Sequence, residues 1–246
     1  MNEDIDLPIR LKCLQCMRPK TSCMCKYLSP LATETHFVIL MHPMEQKKVK
    51  NGTGRLTHLQ LLNSQIVFGV DFSKDKIINS LLEDTHNNCY ILYPGIGSLN
   101  LSGRDISIKN EVKNNVVFII DATWPCAKKM LKLSVNLHDV QKVSFDNAAE
   151  SKFLIKQQPH KLCLSTIEST LIVLDLLIAD GVEKCTTENF LRPFEAMIKY
   201  QIECIKNPRN DSYRSNTSGV IPKMDRYKKK SGRKLFFDKE NVQKPK

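Results

Sequence analysis

A run of apolar β-forming residues at 116–120, VVFII, shows no polar alternation and stops at Asp121. This pattern is typical of a strand that is buried on both faces, as in a parallel α/β sheet. The pattern then becomes helical, since Thr123 can cap a helix and Pro125 falls in its first turn, where a missing N–H costs no hydrogen bond. The sequence therefore places Asp121 and Trp124 at the carboxyl end of a buried strand, where α/β sheets bind ligands. The alternative is a capping aspartate beside a core indole.

The same reasoning predicts the other elements of an α/β fold. Further strands are expected at residues 36–42, 65–70, 89–93, 140–145 and 161–164, and helices at 53–63, 75–83, 166–180 and 189–205. Thr53 is the expected cap of the first of these helices. Strands that alternate with helices in this way predict right-handed crossovers, and hence a mainly parallel sheet with helices on both faces.

The segment Ser165-Thr166-Ile167-Glu168 matches a capping box, in which Glu168 reaches back to the amide of Ser165. The helix that follows is apolar nearly all round, which predicts a central position. Gly181 is expected to end it. Two roles for Glu168 stay open at this point, a structural cap and a residue of the functional site.

Charge and polarity divide the 246 residues into three parts. We expect an N-terminal metal-binding segment at 1–30, a catalytic domain at 31–206, and a basic, disordered tail at 207–246. The net charge is +11. Residues 223–246 contain ten Lys and Arg against three Asp and Glu, a net charge of +7. Such an excess suits a polyanion such as RNA, although a tail that only increases solubility has the same composition.

Four of the nine cysteines are clustered near the start of the chain. Cys13, Cys16, Cys23 and Cys25 form the pattern C-x2-C-x6-C-x-C, and four thiolates favour a closed, structural Zn²⁺ site. Free buried cysteines and an iron–sulfur cluster are the alternatives. The chain has no apolar stretch long enough for a membrane span and no signal-peptide pattern at its start, so a cytoplasmic protein without membrane association is expected.

Several short motifs resemble those of one protein family. The string DATW at 121–124 resembles the D-x-T-W motif of the DTW-domain proteins, which are tRNA-uridine aminocarboxypropyltransferases. The cysteine pattern and four further motifs, HPME at 42–45, TGRL at 53–56, LYPG at 92–95 and STIE at 165–168, follow the family order. Three positions depart from the usual pattern: Gly52, Ala122 and Ser169. None of the three removes a side chain to which we assign a chemical role.

The resemblance implies a SPOUT-like fold, related to the knotted SPOUT methyltransferases. It also implies a reaction, in which S-adenosylmethionine donates its 3-amino-3-carboxypropyl group to N3 of a tRNA uridine, in the variable loop for a bacterial-type member, and methylthioadenosine leaves. A SPOUT-type RNA methyltransferase and a non-enzymatic, zinc-dependent RNA-binding module are the alternatives. The sequence does not indicate an oligomeric state.

Within that reaction each candidate residue has an expected role. Uracil N3 carries a proton, and Asp121 is the expected base that accepts it. Arg55 could bind the donor's carboxylate in a bidentate manner, or be a solvated surface residue. The other expected contacts to S-adenosylmethionine are Pro94, Gly95, Thr123, Trp124, Ser165, Thr166 and Glu168.

Overall fold

Six parallel strands form a sheet at the centre of the structure, a computed structural model that describes residues 11–47, 52–103, 114–147, 150–155 and 163–207. The strands are β1 (His36–Met41), β2 (Ser64–Phe68), β3 (Asn87–Leu92), β4 (Leu99–Asn100), β5 (Asn114–Asp121) and β6 (Gln141–Ser144). Their spatial order is β2-β1-β5-β3-β6-β4. The predicted parallel sheet is thus confirmed, and the strand that ends at Asp121 lies inside it, between β1 and β3.

Six helices accompany these strands in the described part of the chain. They are α1 (Pro43–Lys47), α2 (Thr53–Gln60), α3 (Lys76–Glu83), α4 (Trp124–Leu133), α5 (Thr166–Ala179) and α6 (Arg192–Lys206). Two apolar clusters show how the helices are divided between the faces. One cluster joins the sheet to α2, α5 and α6, and the other joins it to α3 and α4.

The central strand β5 explains this two-sided core. Val117 and Ile119 belong to the first cluster, whereas Val116 and Phe118 belong to the second. Side chains alternate along a strand, so a run without polar residues supplies apolar groups to both faces. The absence of alternation at 116–120 therefore correctly predicted burial on both sides.

The starts of α4 and α5 agree with the predictions, whereas α6 begins at Arg192 rather than at residue 189 and α2 ends at Gln60 rather than at residue 63. Thr123 occupies the N-cap position of α4, and Ser165 and Glu168 form the predicted capping box of α5. Gly181 follows α5 with a φ of +73°, a left-handed conformation that ends helices. The cap predicted at Thr53 is wrong: Gly52 occupies that position, and Thr53 is the first helical residue.

The remaining differences concern short elements. Helix α1, which directly follows β1, and the two-residue strand β4 were not predicted. In the strand predicted at 161–164, residues 161 and 162 lie outside the described residues, and Cys163 and Leu164 have no regular structure. The tail at 208–246 is also outside them. Among the residues that the structure describes, no helix has the length and apolar character that a membrane crossing requires.

Candidate functional site

The order of the strands predicts a crevice at the carboxyl ends of β1 and β5. The chain leaves β1 for α2 on one face of the sheet, but it leaves the neighbouring β5 for α4 on the other face. Connections that diverge from adjacent parallel strands leave an opening between them, and ligands of α/β proteins bind there. Met41 and Asp121, which end the two strands, are paired in register at this opening.

Asp121 is buried at this point, with 6% of its surface exposed. Its backbone carbonyl accepts a 3.1 Å hydrogen bond from the amide of His42. Its side-chain Oδ1 accepts a 2.6 Å hydrogen bond from Oγ1 of Thr166, the first residue of α5. A buried carboxylate is costly unless donors face it, so the bond from Thr166 stabilises the group and fixes its orientation.

Helix α2 approaches the same carboxylate through Gly54. A Cβ atom placed on Gly54 would lie 2.5 Å from Cγ of Asp121, far inside van der Waals contact. Any larger residue would displace the aspartate or the helix, so glycine is required here. Glycine is otherwise unfavourable within a helix. The close approach therefore explains why the motif TGRL has glycine at its second position.

Trp124 contacts the loop that follows β3. Its ring centroid lies 6.1 Å from that of Tyr93, with the two planes tilted by 59°. Trp124 keeps 37% of its surface exposed, and burial raises the pKa of the Tyr93 hydroxyl. Pro94 and Gly95, which follow Tyr93, are exposed. This arrangement provides an aromatic wall with an accessible edge, next to the residues predicted to hold the adenosyl group.

Arg55 follows Gly54 and is partly buried in the first turn of α2. A cation is unfavourable at a helix N-terminus, so an anion nearby would stabilise it. The pKa of His58, one turn further on, is lowered by burial and in addition by the positive charge of Arg55. The solvated-surface alternative is weakened by this partial burial. A contact between Arg55 and the donor's carboxylate stays a prediction.

Glu168 is buried, and its carboxylate accepts four hydrogen bonds within the protein, three at Oε2 and one at Oε1. Its two oxygens accept hydrogen bonds from the amide and hydroxyl of Ser165, the hydroxyl of Ser151 and the amide of Lys152. A carboxylate offers about four such positions. Glu168 thus joins the start of α5 to the segment at residues 150–155. The structure gives it the capping role, and its predicted contact with S-adenosylmethionine stays a prediction.

The four clustered cysteines meet as the spacing predicted. Their Sγ atoms all lie within 4.8 Å of one another, with Cys13 and Cys25 3.6 Å apart and Cys16 and Cys23 3.7 Å apart. Zn–S bonds of about 2.3 Å in a tetrahedron place sulfurs about 3.8 Å apart. The donor set and its size therefore fit a structural Zn²⁺ ion, with no ligand position left for a substrate.

The thiol environments are consistent with a metal centre. Hydrogen bonds from the amides of Cys16 and Gln15 lower the pKa of Cys13 to about 6, whereas burial raises the pKa values of Cys23 and Cys25. A cation would favour the thiolate form of all four. Arg18, in the same hairpin, is buried and donates a 2.7 Å hydrogen bond to the thioether of Met197 in α6. The cysteine cluster is therefore fixed to the domain.

Comparison with known proteins accounts for this combination of motifs. The model of the DTW domain matches residues 10–202. The chain belongs to the DTW-domain family. The match includes both the cysteine centre and every residue of the sheet-edge site, so the resemblance seen in the short motifs is confirmed.

Three relatives of this DTW-domain chain are named tRNA-uridine aminocarboxypropyltransferase 2. The mouse protein is 28% identical over 229 residues, which cover 92% of this chain and 75% of the relative. The Drosophila melanogaster protein is 28% identical over 92% of this chain and 86% of the relative. The Macaca fascicularis protein is 28% identical over 79% of this chain and 64% of the relative. No solved structure matches the chain.

Sequence reasoning missed two residues of the DTW site. Gly54 lies within the TGRL motif, and the signal for its role is a glycine in the first turn of a predicted helix, which indicates a close approach to another group. Tyr93 precedes the predicted Pro94-Gly95 turn. No sequence pattern indicates its role, because its partner Trp124 comes from a different strand-to-helix connection. The structure brings His42, Gly54, Asp121 and Thr166 together at one point and Tyr93 and Trp124 at another.

Proposed function

We propose that this protein transfers the 3-amino-3-carboxypropyl group of S-adenosylmethionine to N3 of a uridine in tRNA. The observation that carries the proposal is the buried Asp121, held by Thr166 and Gly54 at the sheet's crevice in a chain whose relatives are named for this transfer. The motifs at 42–45, 53–56 and 165–168 are far apart in sequence, but each contacts Asp121, through the His42 amide, Gly54 and the Thr166 hydroxyl. A site of this kind suits proton removal from a positioned base.

The reaction balances with one base in the protein. A bond forms between uracil N3 and the aminocarboxypropyl carbon, the bond from that carbon to the sulfonium sulfur breaks, and methylthioadenosine leaves. Asp121 accepts the proton of N3. Thr166 fixes the orientation of the Asp121 side chain through its 2.6 Å hydrogen bond.

The other residues bind and position the substrates. S-adenosylmethionine supplies the electrophilic carbon when it is bound. Arg55 pairs with the carboxylate of its amino acid group, and Trp124 together with Tyr93 forms an apolar wall for the adenosine or the uracil. Exposed backbone at Pro94, Gly95 and Thr123 and the start of α5 at Ser165 hold the remaining polar groups.

The zinc centre supports folding rather than chemistry in this proposal. Four thiolates leave no open coordination position, and Arg18 and Met24 anchor the hairpin to the core that contains α6. The knotted, SPOUT-related topology, the three domain boundaries and the cytoplasmic location stay predictions, as does the variable loop as the position of the modified uridine.

Product analysis tests the proposal directly. Purified protein is incubated with S-adenosylmethionine and unmodified tRNA, and the nucleosides are then identified by mass spectrometry. Aminocarboxypropyl-uridine together with methylthioadenosine is the expected result. Methyl-uridine with S-adenosylhomocysteine would instead identify a methyltransferase. RNA binding without any modified nucleoside would identify a binding module.

Intrinsic fluorescence provides an independent test of donor binding. Trp124 is the only tryptophan in the sequence, so its emission reports on the proposed site alone. We expect S-adenosylmethionine to change this emission saturably, and Arg55→Gln to weaken the binding. An unchanged emission with wild-type protein, combined with no heat in calorimetry, would contradict the proposed donor site.

A further inference from the structure

The cysteine hairpin, residues 11–27, has two different sides. Its inner side is buried against the domain, and Arg18 and Met24 there are only 2% and 3% exposed. Its outer side carries large apolar groups in water: Leu14 is 91% exposed and Leu11 64%, and Met17 is also exposed. Exposed apolar groups of this size on a well-anchored element indicate an interaction surface.

The hairpin is held rigidly in this form. The amide of Cys13 donates to the carbonyl of Arg18, and the amide of Met17 donates to the carbonyl of Cys13, both at 2.8 Å. Met17 adopts a left-handed conformation with a φ of +58°, which a non-glycine residue keeps only when its surroundings enforce it. A metal ion on the four thiolates would fix the same turn. The apolar groups are therefore presented without an ordering cost on binding.

Charge identifies the kind of partner. The segment at residues 11–33 contains Lys12, Arg18, Lys20 and Lys26 but no aspartate or glutamate. The three lysines are exposed. Four thiolates around one Zn²⁺ leave two negative charges, which the basic side chains outnumber. The surface is therefore cationic around an apolar centre, and a second copy of the same surface would be repelled.

We propose that the outer side of this hairpin, formed by Leu11, Lys12, Leu14, Met17 and Lys20, contacts tRNA outside the active site. The lysines bind phosphates, and the apolar groups lie against the face of an unpaired nucleotide. Unpaired nucleotides are recognised in this way, since their bases offer an apolar face beside the charged backbone. The inference rests on the proposed tRNA substrate and adds a second point of contact on it.

Two sets of substitutions in the full-length protein test the proposal. Lys12→Gln with Lys20→Gln removes phosphate contacts, and Leu14→Ser removes the most exposed apolar group. None of these residues is a metal ligand, so elemental analysis and thermal melting should be unchanged. Matched controls come from α3 and the turn before it, which pack on the opposite face of the sheet: Lys74→Gln with Lys76→Gln, and Ile77→Ser, all at exposed positions.

The two sets should act differently on tRNA binding measured across salt concentrations. The double lysine variant should lower the slope of log affinity against log salt by about one to two units, since each phosphate contact contributes about 0.7 to 0.9. Leu14→Ser should weaken binding about three- to tenfold at every salt concentration with the slope unchanged. Transfer at saturating tRNA in a single turnover should match wild type for both.

The outcomes separate this inference from the proposed function. Hairpin variants that bind tRNA like wild type, or α3 controls that lose as much affinity, would overturn the tRNA contact. So would a hairpin-dependent dimer in sedimentation with unchanged tRNA binding, which would assign the surface to a second copy. Failure of the proposed function shows elsewhere, as wild-type protein that modifies no tRNA in the product analysis.

Discussion

The cysteine hairpin and the sheet edge are two polar sites that are assembled in opposite ways. Cys13 and Cys25, the outermost ligands of the hairpin, are 12 positions apart, and their sulfurs meet through one local turn. Asp121 and Thr166 are 45 positions apart, and their hydrogen bond exists only because β5 and α5 are neighbours in the fold. A local site can be disrupted alone, whereas a site assembled by the fold depends on the whole domain.

The two sites also differ in what they can contribute, since the hairpin suits a stabilising metal ion and the sheet edge suits chemistry. The hairpin has a complete donor set, four thiolates and no free position, so it suits a structural ion. The sheet edge instead has a buried carboxylate at Asp121, with the partly buried Arg55 and the exposed Trp124 in the first turns of α2 and α4. Substitutions at the two sites should therefore affect different measurements, in the following order of size.

Asp121→Asn should have the largest effect, and it should be confined to chemistry. Asparagine keeps the shape and one acceptor oxygen for Thr166 but cannot accept the N3 proton, and general-base catalysis contributes about 10² to 10⁴-fold. Single-turnover transfer to tRNA should fall by that factor, while zinc content, melting temperature and S-adenosylmethionine binding stay as in wild type. A rate within about threefold of wild type, far below that range, would leave Asp121 with a structural role only.

Cys13→Ser with Cys16→Ser should give the opposite result. The variant should lose its zinc, near one ion per chain in wild type, and lose stability on the order of 3 kcal/mol, in the upper range for substitutions. The transfer rate of the molecules that remain folded should change less than with Asp121→Asn. Elemental analysis measures the zinc content, and thermal melting measures the stability. Unchanged metal content would contradict the zinc centre, and iron in place of zinc would identify a cluster.

Glu168→Gln tests whether Glu168, the buried carboxylate at the start of α5, has a different role from Asp121 at the end of β5. Glutamine places an NH₂ group against amide and hydroxyl donors, so about 1 to 3 kcal/mol of stability should be lost. Urea denaturation measures the loss, and binding of S-adenosylmethionine to the folded variant should be unchanged. If binding weakens while stability is retained, Glu168 contacts the donor and the capping role alone is insufficient.

Thr166→Val should have the smallest effect, about tenfold or less on the transfer rate, because one hydrogen bond of about 1 kcal/mol is removed. Valine keeps the shape but cannot donate to Asp121. Thr166→Ser is the matched control, since it retains the hydroxyl and should keep most of the activity. Equal losses in both variants would show that the methyl group, and not the hydrogen bond, positions Asp121.

Much of the fold could be predicted because its determinants are local. The uninterrupted run at 116–120, the capping box at 165–168 and Gly181 each act within a few residues, and the structure confirms all three. The wrong cap at Thr53 has a local reason as well. Gly52 takes the N-cap position, which lets Thr53 and Gly54 enter the helix and brings Gly54 against Asp121.

The candidate site could be predicted only in part. Asp121 and Trp124 followed from their position after a buried strand, but nothing in the sequence pairs Trp124 with Tyr93 or Asp121 with Gly54. The role of Glu168 was undecided for the same reason. Two of its donors, Ser151 and Lys152, belong to a segment that contacts α5, and the hydrophobic periodicity of the sequence does not predict that contact.

The sequence by itself determined five of the six strands that the structure describes, the starts of α4 and α5 and the set of clustered cysteines, because dihedral preferences, hydrophobic periodicity and ligand spacing act over short distances. The tertiary structure decided which strands are adjacent, and thus where the crevice opens and which side chains face Asp121. Those contacts join residues far apart along the chain, and they form only when burial of both faces of the sheet brings α2, α4 and α5 to its carboxyl edge.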